Sequence, residues 1–211
     1  MSTLKPASWS YAEDFVPEPE VIEQARSRGL AFDAATPVGT GAGAALRLLT
    51  AAIGAKHVIE VGTGAGTSGL WLLAGMPQDG VLTTIDISPE HQKAAREAYA
   101  AAGYPTQRTR VISGRASDVL PRMTDGAYDM VLIDADKASY PAYVEHGIRL
   151  LRSGGVLALD NMLWHDKVAD PAARDSDTTT LRDLGKRLRD HEDLLPALLP
   201  VSDGLLLAVK R

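Results

Sequence analysis

The sequence predicts an α/β chain: a doubly wound, mostly parallel seven-stranded sheet closed by a C-terminal antiparallel hairpin, with helices ahead of it. Three observations carry this. Short β-rich apolar runs at 57–61, 81–85, 109–113, 128–133 and 155–159 alternate with helical patterns at 67–75, 89–102, 116–123 and 140–151. That rhythm gives a parallel sheet covered on both faces, with right-handed connections. Two later runs, 194–200 and 205–209, are joined through Ser202-Asp203-Gly204, a tight glycine-containing link suited to a hairpin. Ahead of the sheet, 17–30 and 41–53 read as helices. The second places Ala42, Ala45, Leu46, Leu49, Ala52 and Ile53 on one face. After the fifth strand comes a polar loop, 163–177, and a helix running to about Arg189.

The 211 residues accommodate one domain with a full core. Residues 1–35 read as an N-terminal segment and helix, a substrate or dimer region, and 36–211 as the main domain. A net charge of −5, with no run of Lys and Arg, argues against nucleic-acid partners. There is no cysteine, which removes disulfides and thiolate metal sites and permits the cytoplasm. Residues 1–17 carry no apolar run of signal-peptide length, and no stretch approaches the roughly 18 apolar residues of a membrane helix. A cytoplasmic protein without a membrane partner is the expectation. Trp9, Tyr11 and Phe15 read as packing or interface residues, with a substrate lid as the lesser reading.

Glu60-Val-Gly-Thr-Gly-Ala-Gly66 puts a carboxylate at the end of the first strand and three alternating glycines beyond it. Glycines there permit a tight turn and close approach of backbone to a ligand. Gly64-Ala-Gly66-Thr-Ser-Gly69 also fits the dinucleotide pattern by letter, but that match is weak. Glu60, just before Gly62, would oppose a pyrophosphate and suits a ligand bearing an ammonium group. Asp86, closing the second strand, can accept from both ribose hydroxyls; as an N-cap for the helix after Pro89, Ser88 would serve better. Gly114-Arg-Ala116-Ser117 offers small residues and free amides for an adenine edge.

Strands four and five end in Asp134-Ala-Asp136-Lys137 and Asp160-Asn161. In an open parallel sheet ligands bind beyond the carboxyl ends of the strands, so these side chains share one crevice. Taken singly they could be ordinary turn residues. Together, two carboxylates and an amide suit a hard divalent cation: Mg²⁺, Ca²⁺ or Mn²⁺. The five histidines show no ligand-like spacing, and only His165 lies near this site.

With these motifs the chain resembles the cation-dependent O-methyltransferases, the caffeoyl-CoA and catechol O-methyltransferase-like family. Glu60-Val-Gly-Thr-Gly-Ala-Gly66, Thr84-Ile-Asp86, Ile133-Asp-Ala-Asp-Lys137, Asp160-Asn-Met-Leu-Trp164, Val168-Ala-Asp-Pro171 and Leu199-Pro-Val-Ser-Asp-Gly204 carry the resemblance, from about Thr36 to the C-terminus. It implies a Rossmann-like class I S-adenosylmethionine-dependent methyltransferase domain. It implies Asp134, Asp160 and Asn161 as metal ligands, and Lys137 as catalytic base. Glu60 would partner the methionine portion of S-adenosylmethionine, with Gly62, Thr63, Gly64 and Ser68 around it. Asp86 would take the ribose and Ala116 the adenine, while Val38 and Asp134 complete the cofactor contacts. The family is typically homodimeric. Two departures bear on substrate contacts: Ala44 where relatives often carry Gln, and Gly185 where many have Asn.

The implied reaction moves a methyl group to a hydroxyl of a catechol-like or hydroxycinnamoyl-type phenolic substrate. Adjacent oxygens would bind one cation, which lowers a hydroxyl's pKa, and Lys137 would take the proton. An NAD-dependent oxidoreductase and a non-catalytic S-adenosylmethionine-binding protein are the alternatives. The intact Lys137 and ligand set count against the second.

Overall fold

The computed structural model of the chain describes residues 6–32 and 36–211. The boundary expected at residue 35 falls at 33–35, outside the described residues. Three helices come first: α1 (Pro6–Glu13), α2 (Glu20–Gly29) and α3 (Thr40–Ala52). Alternating units follow: β1 (His57–Val61), α4 (Thr67–Gly75), β2 (Val81–Asp86), α5 (Pro89–Ala101), β3 (Thr109–Ser113), α6 (Ala116–Val119), β4 (Tyr128–Ile133), α7 (Tyr140–Leu150) and β5 (Leu151–Leu159). α8 (Ser176–Arg189), β6 (Leu194–Leu199) and β7 (Leu205–Lys210) close the chain.

The seven strands form one sheet in the order β3-β2-β1-β4-β5-β7-β6. β1 to β5 are parallel, whereas β7 runs antiparallel between β5 and β6. Alternate residues of each strand feed opposite faces, as a pleated strand requires. Val58, Met130, Leu132, Val156 and Ala158 join a core with Leu46, Trp71 and Tyr99, beneath α3, α4 and α5. Ile59, Val131, Ile133, Leu157 and Leu159 join a second core with Tyr140, Leu181 and Leu188, beneath α7 and α8. Burial on both faces is why these strands read as unbroken apolar runs.

The strand order reverses between β1 and β4, and such a switch point leaves a crevice at the strand ends. Register then places the site. Val61 pairs with Ile85 and with Ile133, and Ile133 pairs with Leu159. The next residue of each strand is Gly62, Asp86, Asp134 or Asp160, so these four stand in one row along the edge.

Three elements differ from the sequence expectation. β5 begins at Leu151 rather than at 155, because Leu151 pairs with Tyr128 across an irregular register before Met130. α6 is only one turn and passes into a 3-10 turn, Leu120–Arg122, at Pro121, which has no amide hydrogen to continue the helix. α1 forms although no residue of it is buried; Trp9 and Tyr11 are 53% and 71% exposed, which corrects the packing reading within this chain. Among the described residues no helix is long and apolar enough to cross a membrane.

Candidate active site

A cavity of about 680 Å³ opens along this row of strand ends. Its floor is the glycine loop. Gly62 has φ +97°, and a Cβ there would run into the carbonyl oxygen of Asp134, so the loop and the end of β4 lie in backbone contact. Gly66, at φ +90°, turns the chain into α4. Thr63, Gly64 and Ser68 line the cavity, and the buried Val38 closes it from the N-terminal side.

Asp86 is the carboxylate at one end of the cavity. Its Oδ2 accepts from the Thr63 and Gly64 amides at 3.0 and 3.1 Å, and its Oδ1 from the Ser88 amide at 2.8 Å. His91 Nδ1 lies 3.2 Å from Oδ2, and its ring stacks on Phe32 with centroids 4.7 Å apart. The N-cap of α5 is Ser88, which leaves Asp86 facing the cavity beside Gly114 and Ala116.

Glu60 is placed differently from what the resemblance implies. Its carboxylate is fully buried beneath the loop and does not reach the cavity wall. Ser68 Oγ donates to one oxygen and Thr84 Oγ1 to the other, both at 2.6 Å, and Thr63 Oγ1 lies 2.6 Å from Thr84 Oγ1. Burial pushes Glu60 up to about 7, against the pull of those two hydroxyls. Two of the groups tied to this network, Ser68 and Thr63, are the ones that face the cavity.

At the other end Asp134, Lys137 and Asn161 line the cavity together. Lys137 is only 7% exposed. Its Nζ donates to Tyr140 Oη at 2.6 Å, Asn161 Oδ1 at 2.7 Å and Asp134 Oδ1 at 3.3 Å. The nitrogen also sits 4.5 Å from the Tyr140 ring centre and 5.5 Å from that of Trp164. This is no surface ion pair: Asp136, its sequence neighbour, instead accepts from the Ser139 amide and Tyr143 Oη.

Asp160 stands behind Asn161, 1% exposed, and its Oδ1 has no hydrogen-bond partner. Burial and the nearby charge of Asp134 raise Asp160 to about 7. Burial also raises Asp134, while the Lys137 ammonium holds it down. Among the described residues no three carboxylate, imidazole or thiolate groups converge as a metal cluster. The donor set is two carboxylates and an amide. An orphaned, buried acceptor between hard oxygen donors does fit a hard cation, since it otherwise carries an uncompensated desolvation penalty.

The sequence motifs include Thr84 and Trp164 without a role for either side chain, and Tyr140 stands in none of them. Tyr140 follows Lys137 by three residues, a spacing visible in the sequence, and donates to the Asp160 carbonyl at 3.1 Å. Thr84 is signalled only by its place two residues before Asp86 on β2.

An O-methyltransferase family model matches residues 13–211, nearly the whole chain around this cavity. The chain belongs to the O-methyltransferase family. As such the enzyme is a class I S-adenosylmethionine-dependent methyltransferase. It is 49% identical over 207 residues to a Mycobacterium tuberculosis protein named as a probable O-methyltransferase, covering 96% of this chain and 90% of that one. Two solved structures share the fold. The O-methyltransferase TomG of Streptomyces achromogenes, involved in tomaymycin synthesis and solved with S-adenosylmethionine, gives a TM-score of 0.85 at 28% identity, covering 99% of each chain. A Bacillus cereus O-methyltransferase, solved with S-adenosylhomocysteine, gives 0.85 at 26%, covering 97% of this chain and 99% of that one. The dinucleotide reading of the glycine loop gives way to this family.

Proposed function

We propose that the enzyme methylates a hydroxyl of a catechol-like or hydroxycinnamoyl-type small molecule, with Asp134, Asp160 and Asn161 holding a divalent cation. One observation supports this above the others: a buried lysine amine lies beside an oxygen-rich strand edge that includes an orphaned carboxylate oxygen. The methyl donor fits at the other end, where Asp86 meets a ribose, Ala116 an adenine, and Thr63 and Ser68 the methionine portion.

S-adenosylmethionine bound there supplies an electrophilic sulfonium methyl, and Mg²⁺, Ca²⁺ or Mn²⁺ held at the three ligands would acidify a neighbouring hydroxyl. Lys137 Nζ, as the free amine, receives the proton of the acceptor hydroxyl. The oxygen's electron pair then forms the bond to the methyl carbon as the carbon–sulfur bond breaks. Tyr140 and Asn161 fix the lysine's rotamer, and Trp164 presents its ring to the amine. Much of the acceleration comes from holding acceptor and methyl group in line. Exposed Trp9, Tyr11 and Phe15 near α1, with Leu195 and Leu198 on β6, support a homodimer. Methyl transfer should be screened over catechols, flavonoids and hydroxycinnamoyl thioesters with Mg²⁺ and with excess EDTA. Turnover of a vicinal diol that EDTA abolishes and Mg²⁺ restores is expected; full turnover in EDTA refutes the cation, and no turnover of any diol refutes the acceptor class.

A further inference from the structure

The turn between β6 and β7 lies outside the cavity, yet it grips the loop that forms the cavity's acceptor side. Four non-glycine residues of that loop have left-handed backbone: Asn161 at φ 58°, Trp164 at 50°, His165 at 55° and Asp166 at 64°. For a bulky residue such as Trp164 this conformation is disfavoured, and it persists only where the surroundings impose it. The β6–β7 turn does so. Met162 N donates to Gly204 O at 2.9 Å and Leu163 N to Asp203 O at 2.8 Å. His165 N donates to the Asp203 carboxylate, Oδ1, at 2.6 Å. A Cβ at Gly204 would collide with Leu163, so the two segments are in backbone contact.

The turn is itself held from the opposite side. Glu13, the last residue of α1, accepts from Ser202 N and Ser202 Oγ, each at 2.9 Å, and from Gly41 N at 2.8 Å. Asp203 is thus the one carboxylate that reaches from this anchored turn into the loop. Its second oxygen, Oδ2, is buried without a hydrogen-bond partner, 3.7 Å from His165 Nδ1. A buried carboxylate oxygen left unpaired weakens the fold, and general stability does not account for it.

We infer that Asp203 is a positioning residue for the acceptor side: by holding the His165 amide it keeps Trp164 over Lys137 Nζ and Asn161 in reach of it. Its kinetic consequence rests on the acceptor reading above; its conformational consequence rests on geometry alone. The test compares Asp203→Ala with Asp203→Asn in the full-length chain, because the asparagine keeps a carbonyl oxygen that can accept from His165 N. For a vicinal-diol acceptor, kcat/KM should fall about 10–100-fold in Asp203→Ala, mainly through KM. S-adenosylhomocysteine affinity should stay unchanged, and Asp203→Asn should recover most of the loss. The conformational arm uses fluorescence. The chain has three tryptophans, Trp71 is fully buried, and a Trp9→Phe background removes the exposed one, so acrylamide quenching reports Trp164. Quenching should rise in Asp203→Ala and return towards wild type in Asp203→Asn. Native-state hydrogen exchange needs no variant: the His165 amide of the wild type should exchange slowly. Unchanged quenching together with unchanged acceptor KM, equal losses in both variants, or a fast-exchanging His165 amide would overturn the assignment. If the wild type turns over no diol, the acceptor reading fails, while quenching and exchange still decide the role of Asp203.

Discussion

Glu60→Gln should stabilise the protein at alkaline pH and change little at acidic pH. The Glu60 carboxylate is fully buried, and burial raises it from the ordinary 4.5 to about 7. The sign follows from proton linkage. Between pH 4.5 and about 7 the folded state keeps a proton that the unfolded chain has released, so stability falls as pH rises through that window. Above pH 7 the full difference applies, about 3 kcal/mol against the folded state. Glutamine has the same shape without the charge. Its oxygen can accept from Ser68, and its amide can donate to Thr84 Oγ1, whose own proton can turn towards Thr63. Near pH 4.5 the protonated glutamate and the glutamine are therefore close to equivalent. Urea unfolding of both proteins at several pH values measures the difference. It should grow from near zero at pH 4.5 to about 2–3 kcal/mol in favour of Glu60→Gln at pH 8, with equal m-values. A difference that stays flat across this range would mean that the penalty does not arise from the Glu60 charge.

The remaining predictions concern chemistry and one helix. Lys137→Ala should lower kcat about 10²–10⁴-fold with S-adenosylhomocysteine affinity nearly unchanged, and Lys137→Arg should not restore it; steady-state kinetics on a catechol above a third of the wild-type rate refutes the base assignment. Asp160→Ala should lose EDTA-sensitive methyl transfer yet retain S-adenosylhomocysteine binding by calorimetry, because Asp160 lies off the cavity wall behind Asn161. Gly185→Ala should raise stability by about 0.5–1 kcal/mol in urea unfolding. The site lies inside α8, and an added Cβ meets only Met162 Cε at 3.8 Å.

The parallel strands and the row of strand-end side chains were legible because both follow from local rules. Apolar runs broken by glycine mark the strands, and a parallel sheet exposes its carboxyl ends to ligand. Asp86, Asp134, Lys137 and Asn161 line the cavity at the places those rules assign. Glu60 shows where the rules run out. A carboxylate at a strand end is visible in the sequence, but which side of the glycine loop it takes depends on Ser68 on α4 and Thr84 on β2. Asp203 acts across the fold, on a residue 38 positions away, and no periodicity encodes such a contact. α1 escaped for the opposite reason: a helix that buries nothing leaves no apolar stripe to read.

What the site has in common is that its members break the preferences the rest of the chain obeys. Glu60 is a carboxylate buried beneath the glycine loop, Asp160 carries an oxygen with no donor, Lys137 is a buried lysine, and Trp164 sits in a conformation suited to glycine. Each is locally unfavourable, and in a protein of ordinary marginal stability such exceptions survive only where the surrounding structure dictates them. Here the surroundings are the two cores that fix β1, β4 and β5, whose paired ends leave these side chains no other place. Transfer of a methyl group from a charged donor calls for fixed charges already desolvated and aimed. The crevice meets that need with groups that folding by itself would not favour, which is why these exceptions gather around one cavity.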